Sequence, residues 1–595
     1  MGPESTLRAR ARPSGTAAEA GAWRDPWRRV TRLKPTTLAW IALAGLLVAA
    51  AAFFYYETRG TTLWVDEWDW AQNRRGWDLD TFLRPHNGHL SLVPVAIYKL
   101  LFATAGLTHY APYRIVLIAA HLLCVALVFV YASRRVGSYL GVIAAALILF
   151  LGPAWQNILS PFQVAWLISL AAGLGALLML DRGDRAGDIV ASALLAVSIA
   201  SSSLGIAVAV GVALEVLWGR RRWRDAWIVA APLALYALWW VPYHDVNAFA
   251  RHNIILTPGF VADSAASAVA ALAGLEGHGT PDAGVTLLDW GRPLAVAAVA
   301  LLVWRLTRLG RVPPRVPALL AIALSFWILT ALNRAQISAP FAGRYVYVGA
   351  FIVVLLAVEV ARGVSLDWRA AVLIGAASAA AIVSNIGSLR DGARILRSNA
   401  PAAEADLGAL EAARPLVKAR YVATAFPGYP FVVVRAGPYF AAAKSLGSLA
   451  ATPAEIATKA EDPRRIADTE LFNIHRVALQ PAPPPRLPGV RPAVDSVAGG
   501  TVRGRGPCVS YRPSAVIQPG ITNSVDVTLP LGGLRLTAEG GPATISVRRF
   551  ADELRPVGAV AAATPALLRI APDLAPQPWH VRIAPAERAT VCGVG

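Results

Sequence analysis

Apolar runs of the length that crosses a bilayer recur along the first two thirds of the chain, and they leave few folds open. A helix needs about 20 apolar residues to span the roughly 30 Å hydrocarbon core. The candidate runs are 38–56, 112–132, 138–151, 162–180, 189–200, 204–218, 227–241, 293–306, 316–332, 345–360 and 370–386, several of them short. Hydrophobic residues make up 56% and charged residues 16% of the 595, with mean hydropathy +0.49. A polytopic α-helical membrane protein is therefore expected.

Two stretches decide the topology. The segment 90–107 is apolar but carries Lys99 and starts straight after a polar cluster, so it is placed as an interfacial helix rather than a span. The segment 189–218 is about 45 Å long at helical rise, too long for one untilted crossing. Ser201, Ser202, Ser203 and Gly205 break it into a hairpin.

With both choices made, the basic residues fall on one side. They are Arg24, Arg28, Arg29, Arg32 and Lys34, then Arg134 and Arg135, Arg182 and Arg185, Arg220, Arg221, Arg222 and Arg224, then Arg305, Arg308, Arg311 and Arg315, and last Arg362 and Arg369. Under the positive-inside rule this predicts eleven crossings of the cytoplasmic membrane from a cytoplasmic N-terminus. The loop 57–111 and everything after 388 then lie outside. The first span is read as an uncleaved anchor, although Arg28-Arg29 before it and small residues at its end also suit a signal peptide. Residues 1–37 form a basic cytoplasmic tail, expected to be disordered. A net charge of +19 would suggest nucleic acid in a soluble protein; here the arginines cap spans, and no nucleic-acid partner is expected.

The membrane domain is bounded at 38–388. Beyond it Pro, Gly and short alternating segments take over, which predicts an extracytoplasmic mixed α/β region over 389–480, with helical patterns at 402–413 and 453–459 and a strand at 431–434. The proline-rich run 480–485 reads as a stiff linker. Short strands at 525–529, 534–537, 544–547, 567–570 and 580–583 predict a β-sandwich over 481–595. Cys508 and Cys592 bracket this module and are expected to close it with a disulfide, which requires an oxidising compartment; Cys124 lies inside a span.

The chemistry concentrates between Thr62 and Leu92, in TLWVDEWDWAQNRRGWDLDTFLRPHNGHLSL. Ionisable groups are costly to hold against a bilayer, so such a cluster marks a site for a polar substrate. Asp66 and Glu67 sit where a carboxylate can accept the proton of an attacking hydroxyl. Trp64 and Trp68 suit the interface and can stack on the apolar face of a sugar. Arg84, His86, Asn87 and His89 suit a phosphate oxygen or a sugar hydroxyl. The alternative is an ordinary acidic loop beside a tryptophan belt, followed by a polar turn. Arg344 and Tyr345 open the tenth run from the external side; an arginine there goes against the orientation rule and calls for a partner, either a lipid-linked phosphate or one of the acids. The external loop 242–292 carries His244, Asp245, Arg251, His252, Glu276, His278, Asp282 and Asp289 without a spacing that names a chemistry. The sequence holds no phosphate-cradling glycine loop, no serine elbow and no Cys-x-x-Cys pair.

A first span, an external loop opening on acids, interfacial helices, many further spans and an external C-terminal domain together resemble the C-type (GT-C) membrane glycosyltransferases over residues 38–386. That group includes protein O-mannosyltransferases, aminoarabinose transferases of lipid A and actinobacterial cell-wall arabinosyltransferases. The resemblance implies a GT-C-like transmembrane bundle, with Asp66 as the catalytic acid of the first loop and Glu67 as a less certain neighbour. It implies a polyprenyl-phosphate sugar as donor, a cell-envelope glycan or protein as acceptor, and presumes inversion. The Asp-x-Asp spacing of metal-dependent members is absent at Asp66 but present at Asp78 and Asp80, a secondary acidic pair. No cofactor is therefore certain, and a divalent metal is left open. The rival readings are a transporter or flippase for a lipid-linked glycan and a non-catalytic envelope assembly protein.

Overall fold

The computed structural model describes residues 34–218, 223–244, 250–275, 283–309, 312–423, 433–483, 489–514 and 522–594. Most of the N-terminal tail, Arg220, Arg221, Arg222, Arg311, Asp245, Glu276, His278, Asp282, Phe431, Val432 and part of the proline-rich run lie outside them.

The membrane part begins with α1 (Pro35–Glu57), α2 (Asp66–Asn73), α3 (Leu79–Leu83), α4 (Leu92–Ala105), α5 (Ala111–Val136) and α6 (Ser138–Leu149). It continues through α7 (Trp155–Leu159), α8 (Val164–Leu180), α9 (Arg185–Ser201), α10 (Leu204–Trp218), α11 (Trp227–Tyr243) and α12 (Asn253–Leu272). Four long helices follow, α13 (Ala283–Leu309), α14 (Arg315–Arg334), α15 (Gly343–Val360) and α16 (Trp368–Ala412). Nine helices among the described residues are long and apolar enough to cross a membrane, or ten if the pair bent by 49° after Leu149 counts as one span. The expected hairpin over 189–218 forms as α9 and α10, turning at Ser202 and Ser203, with Ser169 and Ser198 bonded to each other 3.0 Å apart beside the turn.

One span-like helix was not expected. The segment read as an external loop holds α12, whose run NIILTPGFVADSAASAVAAL is interrupted by Pro258, Gly259 and Asp263 and so reads as loop in sequence. Asn253 at its start donates to the Leu332 carbonyl (2.9 Å) near the end of α14, and its other end receives Asn385 Nδ2 on the Ala271 carbonyl (3.0 Å). Both bonds tie α12 to helices of the bundle, and by length and composition it counts among the nine candidate spans. The expectation of eleven crossings with 242–292 left as a loop is corrected accordingly: that segment holds a candidate span, while the runs at 189–200 and 204–218 form helices of 17 and 15 residues, shorter than the nine.

The opposite end is tied by a buried ionic network. Arg315 of α14 bonds Asp181 (2.8 Å) after α8 and Glu215 (2.7 Å) of α10, and Arg135 of α5 pairs with Asp181 (2.9 Å) and with Glu359 of α15, which also accepts from Tyr131 (2.6 Å). Arginines that read as topology signals in sequence are here structural ties.

Midway, the α6 break frees the Leu149 carbonyl, which His121 Nε2 meets at 3.1 Å while Nδ1 meets Tyr347 Oη at 2.8 Å. Gly152 lets the broken chain press against α16, where any side chain would strike Asn385 and Ser388.

The expected domain boundary at 388 falls inside α16, a single 45-residue helix. Its Leu389, Leu396 and Leu407 belong to the core of the membrane part, and its Ala405, Ala409 and Ala412 to the core of the tail. The region after it is helical among the described residues rather than mixed: α17 (Ala436–Leu446), α18 (Pro453–Thr458), with a Thr452/Glu455 capping box, and α19 (Glu461–His475). The first half of the expected strand 431–434 lies outside the described residues; beside the run Val422 and Arg435 form an isolated bridge.

Two antiparallel sheets complete the chain. One runs β1 (Leu479–Pro481), β9 (Ala566–Leu568), β6 (Leu534–Glu539), β11 (Arg588–Gly593), β4 (Cys508–Pro513), β3 (Gly500–Arg505). The other runs β2 (Val494–Ala498), β5 (Ser524–Thr528), β10 (His580–Pro585), β7 (Ala543–Arg548), β8 (Arg555–Val560). Alternate residues such as Val525, Val527, Ile545, Val581 and Ile583 fill the core, as a half-buried sheet requires. The linker expectation is corrected at its start, because Leu479–Pro481 is an edge strand. The disulfide forms as expected but joins directly opposed residues of neighbouring strands, β4 and β11, in one sheet instead of tying first strand to last.

Because Arg315 is buried among two acids, Arg315→Met should cost about 3 kcal/mol of stability by leaving carboxylates uncompensated. Thermal unfolding of the purified protein checks this, and Arg185→Gln, exposed at the start of α9, serves as the surface comparison.

Candidate functional site

Helix α2 starts in a strained corner. Val65 has φ 48°, a left-handed conformation that a β-branched residue rarely adopts, and it immediately precedes Asp66. Glu67 holds that corner in place. It is completely buried, its Oε2 accepts from the Trp64 amide (2.8 Å) and Tyr110 Oη (2.7 Å), and its Oε1 accepts from Tyr98 Oη (2.5 Å). Burial pushes its pKa up to about 7, even though the hydroxyl and amide donors pull the other way. A carboxyl so enclosed positions α2; it has no face left for a substrate.

With Glu67 turned inward, Asp66 turns out. Its side chain is 36% exposed and lies 3.4 Å from His86 Nε2, while Asp69, one turn along, lies 3.4 Å from His86 Nδ1. His86 is thus clamped at both nitrogens by carboxylates. Burial alone would lower its pKa, but the bonds and charges of Asp66 and Asp69 outweigh burial and hold it above the ordinary histidine value. The ring edge packs on Trp70 and Phe162, the latter on the segment that follows the broken helix.

A two-residue hairpin presents His86. His86 and His89 exchange backbone bonds (3.0 and 2.9 Å) around Asn87 and Gly88, both with positive φ (50° and 80°). Asn-Gly is the pair that such a turn favours. Asn87 Nδ2 reaches Asp66 Oδ1 at 3.5 Å. His89 turns inward, and burial, with Arg334 and His86 nearby, pushes its pKa down to about 4, so it stays neutral.

Two residues the sequence reading left out build this site. Arg74, buried, donates to the carbonyls of Thr81 (3.1 Å), Arg84 (2.9 Å) and Pro85 (3.0 Å) and so fixes the chain leading into the hairpin. Arg334, at the end of α14, reaches the Asn87 carbonyl at 3.5 Å. It stands 247 residues from Asn87 in sequence, and only folding brings the two together.

The remaining candidates are placed differently. Arg84 is bound by Asp80 (2.6 Å) on an outward helix turn, and Asp78 caps α3 by accepting from the Thr81 amide (2.9 Å) and hydroxyl (2.6 Å). Neither acid faces Asp66. Trp68 is buried, bonds the Leu63 carbonyl (3.1 Å) and packs on Tyr439, so it does not offer a stacking face; Trp64 is partly exposed and lies against Trp155. Tyr345 is buried among Trp166, Phe260 and Phe326. Arg344 bonds Ser338 (2.9 Å) in the loop that begins at Arg334, and neither arginine forms an ion pair with another described residue. Among the described residues no three His, Cys, Asp or Glu side chains group to hold a metal ion.

The pKa of Glu67 carries a stability consequence. The folded protein keeps on Glu67 a proton that the unfolded chain releases above the ordinary glutamate value of 4.5, so the stabilisation is complete below that value and is lost as pH rises to about 7. Glu67→Gln should flatten this fall, which melting curves across that window measure.

No family model and no curated protein matches the chain. Among solved structures it is similar to ArnT from Cupriavidus metallidurans bound to undecaprenyl phosphate, at 15% identity and TM-score 0.41, covering 69% of this chain and 89% of that one. It is similar to the archaeal oligosaccharyltransferase AglB from Archaeoglobus fulgidus at 16% identity and TM-score 0.39, covering 59% and 56%. It is also similar to the arabinosyltransferase EmbB from Mycobacterium smegmatis at 11% identity and TM-score 0.33, covering 94% and 65%. All three are GT-C superfamily membrane glycosyltransferases.

Proposed function

We propose that this protein transfers a sugar from a polyprenyl-phosphate donor to a hydroxyl of a cell-envelope acceptor, on the outer face of the cytoplasmic membrane. The observation that carries the reading is the exposed Asp66 carboxylate, fixed by His86 and Asn87 at the mouth of a membrane bundle.

The chemistry is a single displacement. The acceptor oxygen attacks the anomeric carbon as the bond from that carbon to the phosphate oxygen breaks, the electron pair leaves with the lipid phosphate, and the hydroxyl proton passes to Asp66. His86, 3.4 Å from Asp66, orients that carboxylate before the step, and Asp69 holds the far side of the imidazole. The departing phosphate needs cations, and Arg334 and Arg344, which share the loop between α14 and α15, are the arginines offered for it. Trp64 is the remaining aromatic candidate to lie along the sugar. The transport alternative would use polar groups along a path through the bundle. His121 does not serve it, because both its ring nitrogens are engaged.

Asp66→Asn should preserve folding and donor binding while transfer falls by about a hundredfold or more, the usual worth of a positioned base. Full turnover by that variant, with a polyprenyl-phosphate sugar and purified protein, would remove Asp66 from this role. His86→Gln should fall less and shift the pH profile of the remaining activity.

A further inference from the structure

A second cationic site lies apart from the Asp66 cluster and shares no residue with it. Where α1 leaves the bundle, Tyr56, Glu57 and Arg59 face Arg390, Arg394 and Arg397 of α16 across a cavity of about 350 Å³. The three α16 arginines recur at intervals of four and three residues and so lie on one helix face.

The charges do not cancel. Glu57 meets Arg397 at 3.2 Å and Arg390 at 3.7 Å, and Asp391 pairs with Arg394, which sets two carboxylates against four guanidinium groups. Arg59 adds its charge without an acidic partner among the described residues; its Nε donates to the Tyr56 carbonyl (3.1 Å) and its guanidinium lies 3.6 Å from the Tyr56 ring centre. Arg390 and Arg394 are 61% and 68% exposed, so their donors face outward into the cavity mouth.

What stands beside the cluster indicates the source of the anion. Along α16 the same exposed stripe is apolar before the arginines, with Val372 and Val383 at 58% and 71% exposure, and Tyr55 and Tyr56 are exposed on α1. Apolar side chains uncovered on a spanning helix face hydrocarbon, and the change to arginine marks the level of the head groups. Arginine at that level matches the phosphate of a lipid, bidentate in geometry and attractive in charge. We infer that Arg59, Arg390, Arg394 and Arg397 bind the phosphate of an anionic phospholipid seated against α1 and α16. This site is independent of the transfer reading.

The test uses the full-length protein in nanodiscs of phosphatidylcholine, with and without phosphatidylglycerol, and in detergent with inorganic phosphate. Phosphatidylglycerol should raise the melting temperature of the wild type, and Arg390→Gln/Arg394→Gln should remove most of that rise and weaken lipid binding on the order of tenfold. Both side chains are exposed, so the variant should fold, and its melting temperature in pure phosphatidylcholine verifies it. Arg362→Gln, at the other end of the bundle, should keep the full rise. An unchanged rise in the double variant, or an equal loss in Arg362→Gln, would overturn the site. A rise reproduced by inorganic phosphate alone would overturn the lipid as its occupant. None of these readouts measures transfer, so failure here leaves the Asp66 reading untouched.

Discussion

Burial of a single carboxyl group organises the loop end of this protein. Glu67 has no route to water, so its cost must be met by donors, and Tyr98 of α4, Tyr110 at the entrance to α5 and the Trp64 amide supply them. Those three partners come from three elements, which pins α2 to the interfacial helix and to the second span at once. The strained backbone at Val65 is tolerable because this cage over-determines it. Adjacent residues on a helix point about 100° apart. Enclosing Glu67 therefore dictates that Asp66 faces outward, where His86 can reach it.

The two ends of the bundle treat charge in opposite ways. At one end the two arginines Arg135 and Arg315 are each paired with carboxylates, drawn from Asp181, Glu215 and Glu359, and tie five segments together. At the other, Asp66 is half open, Arg334 and Arg344 lack acidic partners among the described residues, and the arginines of α16 exceed their carboxylates. Unspent charge beside a bilayer is costly unless something binds it. That contrast supports the proposed ligand contact at the loop end, while the opposite end serves cohesion.

Much of the architecture was legible because its signal is local. The spans follow from apolar length, the α9–α10 hairpin from three serines and a glycine, and five of the sandwich strands from alternation. The run with Pro258, Gly259 and Asp263 hid α12, since those residues signal loops. Continuity of α16 across residue 388 was invisible because hydropathy changes there while helical periodicity does not. At the site, sequence proximity located Asp66 and His86 together but could not separate Glu67, facing inward, from Asp66, facing outward, because that choice depends on tyrosines 31 and 43 residues away. The roles of Arg74 and Arg334 likewise rest on contacts made only in the folded chain.

Helix α16 has a mechanical meaning beyond its packing. At 45 residues it is a rod about 68 Å long, continuous from the bundle into the tail. Its far half packs on α19, whose Asp468 receives the backbone amides of Arg549, Phe550 and Ala551, and whose His475 meets Asp573 at 2.9 Å. The sandwich is thus clamped to a strut that is itself embedded among the spans. Even across Pro401 the helix does not stop between the two cores, so the sandwich hangs from the bundle on a helical strut rather than on a loop.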